Sequence, residues 1–79
     1  MEIISDGPVP PYRQIAARLR EAIEAGEYVP DVTPLPSRKR LAQETGCAVT
    51  TIDRAYAVLR DEGLVYAVAA RGWFVKGPE

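Results

Sequence analysis

Three consecutive cations, Arg38, Lys39 and Arg40, follow Pro36 and Ser37. Ser37 is a natural N-cap, so the three sit in the first turn of a helix. Cations there oppose the helix macrodipole by about 0.3–1 kcal/mol each at exposed sites. A capping box would place Glu or Gln at position 40, and Arg40 is the opposite choice. A run that breaks two local rules gains nothing structurally, and contact with anionic phosphate is the chemistry that would give it a purpose. Further along, Thr50 and Thr51 offer hydroxyls that donate to phosphate or touch a thymine methyl. Arg54 lies one turn beyond Thr50 on the same helical face. Arg71, beside Gly72, is the kind of isolated cation that enters a narrow minor groove. Each has a plainer alternative: a solvated charge run, a helix cap, an exposed hairpin tip. Thr50 with Asp53 fits a variant capping box, which starts that helix at Thr50 because Ala48 cannot cap. The Asp53 carboxylate would otherwise accept from a cytosine amino group.

These residues need a scaffold, and the 79-residue chain has room for one small domain. Hydrophobic residues make up 47% and charged residues 27%, a globular balance. The net charge of −1 hides a polarity. Met1 to Pro36 holds three basic and six acidic residues, and Ser37 to Lys76 holds seven basic and four acidic. The basic half is the half with the candidate contacts. The chain has no His and one Cys, Cys47, which excludes an intrachain disulfide and argues against zinc. No Gly-rich phosphate loop or catalytic constellation is present, so neither enzyme activity nor a cofactor is expected. No apolar run approaches the ~18–20 residues that cross a membrane. The N-terminus lacks the pattern of a signal peptide. A cytoplasmic setting without membrane contact is the expectation.

The elements follow from periodicity. Residues 1–9 show none and read as a flexible arm. Pro10 and Pro11 open a first helix, in which Ile15, Ala16, Leu19, Ala22 and Ile23 form one stripe ending at Gly26. The segment from Glu27 to Pro36 carries Pro30, Pro34 and Pro36 and reads as an extended connector, with one short strand near Thr33 to Leu35. A second helix follows Ser37 and closes at Gly46. A third buries Ile52, Ala55, Tyr56 and Leu59 and ends at Gly63. Leu64 to Tyr66 and Trp73 to Val75 make a hairpin, and Gly72 supplies unusual backbone geometry at its turn. Phe74 is expected to face the core. Trp73 then either lies exposed beside Tyr66 and Val68 or folds over the hairpin. This order predicts a mainly α domain with a small β-hairpin: a winged helix-turn-helix of three helices and a two- or three-stranded antiparallel wing. The domain spans residues 10–76, and 77–79 form a tail.

With the elements placed, the chain resembles the GntR family of bacterial transcription regulators. "PPYRQIAARLREAIEAGEY" is similar to that family's first helix, and "LPSRKRLAQETG" to its second-helix motif. "TTIDRAYAVLRDEGLV" resembles its recognition helix and the following strand, and "RGWFV" the closing strand of its wing. The resemblance covers Pro11 to Val75. It implies a DNA-binding regulator, usually a repressor and usually a homodimer, on a palindromic site in double-stranded DNA. It also implies that Lys39 meets phosphate, that Thr50 and Thr51 make recognition-helix contacts, and that Arg71 and Gly72 form the wing tip. The family often has Ser or Thr at position 48, Arg at 49 and Arg at 53, where this chain has Ala48, Val49 and Asp53. The expectation is a domain that works without an effector part, with no small-molecule effector. A protein-interaction module on the same scaffold, anchored by Tyr66 and Trp73, is the alternative.

Overall fold

The structure is a computed structural model, and it describes residues 2–78. Three helices, α1 (Pro11–Glu24), α2 (Arg38–Thr45) and α3 (Val49–Asp61), precede two antiparallel strands, β1 (Val65–Val68) and β2 (Gly72–Val75). This is the expected winged helix-turn-helix.

Helix α1 starts on Pro10, whose carbonyl accepts from the N–H groups of Arg13 and Gln14 at 3.0 and 3.2 Å. Pro11 occupies the first turn, where its missing N–H costs nothing. The Gln14 side chain reaches back along the preceding segment. Its Nε2 donates to the carbonyls of Ile4 (2.7 Å) and Val9 (2.8 Å), and its Oε1 accepts from the Ile4 N–H (2.9 Å). Ser37 caps α2, with its Oγ accepting from the Arg40 N–H at 3.1 Å. Gly46 ends α2 at φ 71°, a conformation that glycine adopts without the Cβ clash of other residues.

The core gathers one stripe from each helix: Ile15, Ala16 and Leu19 from α1, Leu41 from α2, and Ile52, Ala55, Tyr56 and Leu59 from α3. Leu35, Val65 and Val75 close it. Tyr56 is its largest fully buried side chain. The Tyr56 hydroxyl donates to the Pro36 carbonyl, one residue before the α2 cap. Its ring stacks on Trp73 of β2, with centroids 4.9 Å apart and planes 6° from parallel.

That stacking corrects the expected orientation of the hairpin. Strand residues alternate faces, so Trp73 shares a face with the buried Val75 and packs on the core. Phe74 points to the opposite face and stacks on Tyr66, its cross-strand partner, at 6.1 Å. The expected strand near Thr33 to Leu35 is a single bridge from Pro34 to Phe74, flanked by Leu35 N–H donating to the Trp73 carbonyl at 2.8 Å. Pro34 and Pro36 have no N–H to offer, so the connector cannot extend into a full third strand. At the wing tip Gly72 holds φ 102° and Ala70 holds φ 64°.

Burial pushes the Tyr56 hydroxyl far above its ordinary value of 10.0. Tyr28, by burial, and Tyr66, through its hydrogen bond to Asp31, are raised as well. The folded chain therefore holds these protons more tightly than the unfolded chain. Their contribution to stability should be level below about pH 10 and fall as pH rises above it. Tyr56→Phe should flatten the greater part of that alkaline fall in denaturant titrations, while lowering stability at neutral pH by about 1–3 kcal/mol through the unpaired Pro36 carbonyl. An equally steep alkaline fall in Y56F would show that Tyr56 is not its source.

Candidate nucleic-acid interface

The first turn of α3 departs from the expected cap. The helix begins at Val49 on an Ala48 N-cap that has no side-chain cap hydrogen bond. The Ala48 carbonyl accepts from Thr51 and Ile52 N–H groups at 3.0 and 3.3 Å. Thr50 is thus already inside the helix, and Asp53 lies beyond the reach of the orphan N–H groups. The Thr50–Asp53 capping box does not form. The helix opens on backbone hydrogen bonds alone, two residues earlier than a Thr50 cap would place it. The uncapped N-terminus carries partial positive charge into the region where Thr50 and Thr51 lie.

Asp53 pairs across the helix-turn-helix with Arg38, whose Nε sits 3.1 Å from Oδ1. Both side chains are well exposed, at 57% and 44%. Such a pair is worth about 0.2–1 kcal/mol and gives way readily to a competing anion. Arg40 pairs within α2, its Nε 2.7 Å from Glu44 Oε2, and that hydrogen bond raises its already high pKa. Lys39 is exposed, with no ion pair among the described residues. The basic run thus divides into two latched guanidinium groups and one free ammonium.

Thr50 and Arg54 are exposed on α3, opposite the core stripe, and Thr51 is half-buried. The Arg54 guanidinium lies over the Tyr12 ring of α1, 4.2 Å from its centroid. Arg71 and Gly72 are exposed at the wing tip. Arg71 also borders a hollow of ≈ 410 Å³ with Tyr66, Phe74 and Asp31. The Tyr66 hydroxyl donates to Asp31 Oδ1 at 2.7 Å, which ties the outer face of the wing to the connector. The structure therefore joins Arg38, Asp53, Arg54 and Tyr12 around the starts of the three helices. Arg71 and Gly72 stand apart from them on the hairpin.

The model of the bacterial regulatory proteins of the gntR family matches residues 11–75. The chain belongs to the GntR family. Over its full length this GntR domain is 39% identical to the HTH-type transcriptional repressor NagR of Bacillus subtilis and covers 32% of it. It is 36% identical to the mannosyl-D-glycerate transport/metabolism system repressor MngR of Escherichia coli, over 89% of this chain and 29% of that protein. The chain thus spans a third or less of the length of the curated relatives it matches. Among solved structures it superposes on YtrA from Sulfolobus acidocaldarius, a GntR-family transcription factor, with a TM-score of 0.83 and 36% identity, covering 98% of this chain and 80% of that one. It matches the DNA-binding domain of AraR in complex with operator ORX1 with a TM-score of 0.85 and 31% identity, covering 95% of each chain. The domain has the winged helix-turn-helix fold of the GntR DNA-binding domains.

Two ion pairs between helices of the GntR domain escaped sequence reasoning. One is the Arg38–Asp53 latch. The other is the bidentate pair of Arg20 with Glu62, at 3.0 and 2.7 Å, which joins α1 to the end of α3. Both are pairs between elements, and spacing along one helix cannot find them. Trp73, the proposed anchor of a protein-interaction surface, is instead committed to the ring of Tyr56.

The vacant α3 cap yields a direct test. Ala48→Ser should supply the missing acceptor and stabilise the domain by about 0.5–2 kcal/mol. The thermal midpoint should rise by several degrees, at about 4–8 °C per kcal/mol for a domain of this size. An unchanged midpoint would mean that Ala48 does not hold the N-cap position.

Proposed function

We propose that the chain is the DNA-reading part of a GntR-type transcriptional repressor that binds a short palindromic operator as a homodimer. The observation that carries this reading is the exposed face of α3. Thr50 and Arg54 stand exposed on it, and Arg38 of α2 is latched to its flank. The operator-bound AraR domain supports DNA as the partner, and the repressors NagR and MngR support the sign of regulation.

In this reading α3 enters the major groove, as the second helix of a helix-turn-helix does. Thr50, Thr51 and Arg54 meet base edges and adjoining phosphates. Arg38, Lys39 and Arg40 hold the backbone, with the phosphate displacing Asp53 and Glu44 from their arginines. Arg71 and Gly72 bring the wing to the minor groove. Few side chains read bases, so one domain alone binds weakly. A symmetric pair on inverted half-sites supplies the rest.

Fluorescence anisotropy with a labelled mixed-sequence duplex across a salt series tests the phosphate contacts. Lys39→Ala should lower the slope of log K against log salt by about 0.9, the loss of one phosphate contact. Asp53→Asn should tighten binding, because Arg38 no longer exchanges one carboxylate for another, while thermal stability changes by no more than about 1 kcal/mol. Absence of binding at low salt by a domain with native circular dichroism would overturn the reading. Selection of bound duplexes from a random pool should recover inverted repeats, and recovery of single unrepeated sites would exclude the symmetric pair.

A further inference from the structure

Among the described residues, Arg20, Arg38, Arg40 and Arg60 are paired with carboxylates. Arg13 and Arg54 have no such partner among the described residues, yet both converge on the ring of Tyr12. Arg54 Cζ lies 4.2 Å from the ring centroid and Arg13 Cζ lies 5.6 Å from it. Arg13 Nε also approaches the Tyr12 hydroxyl at 3.2 Å. Tyr12 itself is half-buried and packed against the core, so the platform is fixed in place.

Two cations on different helices thus meet at one ring, and neither forms an ion pair with a carboxylate among the described residues. The quadrupole of the ring compensates in part, since a cation over a ring face gains about 0.5–1 kcal/mol at an exposed site. This mode of holding has a chemical consequence. A carboxylate partner neutralises a guanidinium and takes up its N–H donors, whereas a ring that holds the Arg54 cation leaves it without an anionic partner. Arg54 is thus restrained without being neutralised.

We propose that Tyr12 is a positioning residue for DNA binding, presenting Arg54 of α3 and Arg13 of α1 together to the phosphodiester backbone. The inference rests on the reading of α3 as the DNA-facing helix. It goes beyond that reading by adding Arg13 to the contact surface and by making the reach of Arg54 depend on an aromatic ring in another helix. The ligand class is the phosphate of duplex DNA beside the groove that α3 occupies.

The test uses the intact chain and the same labelled mixed-sequence duplex. Arg54→Ala and Arg13→Ala should each lower the salt slope by about 0.9. Tyr12→Leu keeps an apolar packing group but removes the ring face, and should weaken binding about fivefold, the equivalent of about 1 kcal/mol. Tyr12→Phe keeps the ring and should stay within about twofold of the parent. With Arg54→Ala as background, Tyr12→Leu should have a much smaller effect, because the group it positions is gone. Thermal melts restrict the comparison to variants that are folded at the assay temperature, and the Arg13→Ala and Arg54→Ala slopes carry the test if Tyr12→Leu is not. Equal losses in Tyr12→Phe and Tyr12→Leu, a full Tyr12→Leu loss in the Arg54→Ala background, or an unaltered slope in Arg13→Ala would each overturn the proposal. Failure of the parent chain to bind the duplex would instead overturn the DNA-facing assignment of α3, so the two failures are separable.

Discussion

The phenol of Tyr56 is the point on which the three parts of the domain converge. It is fully buried in α3, it donates to the carbonyl that precedes the α2 cap, and it stacks on Trp73 of the wing. A buried hydroxyl must be satisfied, and a carbonyl next to a proline-bounded turn is an acceptor in want of a donor. The pairing therefore fixes where α2 begins relative to α3. The stacked ring fixes where the hairpin lies relative to both. A domain of this size has only a thin core, so one side chain with three structural duties has unusual leverage.

The charged surface is arranged with the opposite economy. Its ion pairs are exposed, and exposed pairs contribute little to stability. Their significance lies in availability. Arg38 and Arg40 are each held by a single carboxylate that an incoming phosphate can replace, while Arg54 is held by a ring that carries no counter-charge. The same net charge can thus present strong or weak phosphate contacts depending on what each cation touches at rest. Counting Lys and Arg along the sequence cannot separate these cases.

Much of the architecture was legible because it depends on local rules. The stripe Ile15, Ala16, Leu19 gives α1, the Ser37 cap and Gly46 bound α2, and Ile52, Ala55, Tyr56 and Leu59 give α3. What local rules misjudged was the start of α3 and the faces of the hairpin. Ala48 looked incapable of serving as a cap, yet it holds the N-cap position through its backbone carbonyl alone. Phe74 and Trp73 are both large and apolar, and composition cannot choose between them. The choice falls to Tyr56, a partner seventeen positions away from Trp73 in the chain, which offers a ring only to one face. The Arg38–Asp53 pair and the Tyr12 platform were hidden for the same reason, as contacts between helices.

The proline-rich connector has a consequence for assembly. It lies along the side of β2 that β1 leaves open, with Pro34 bridging Phe74 and the N–H groups of Leu35 and Asp31 donating to the carbonyls of Trp73 and Val75. A strand edge with free donors and acceptors invites another chain to add to it. Here the invitation is withdrawn by a segment that cannot itself propagate a ladder, since its prolines lack the required N–H groups. The wing is thereby protected from edge-to-edge aggregation along β2, and two copies of the domain cannot join by a sheet continued across that edge.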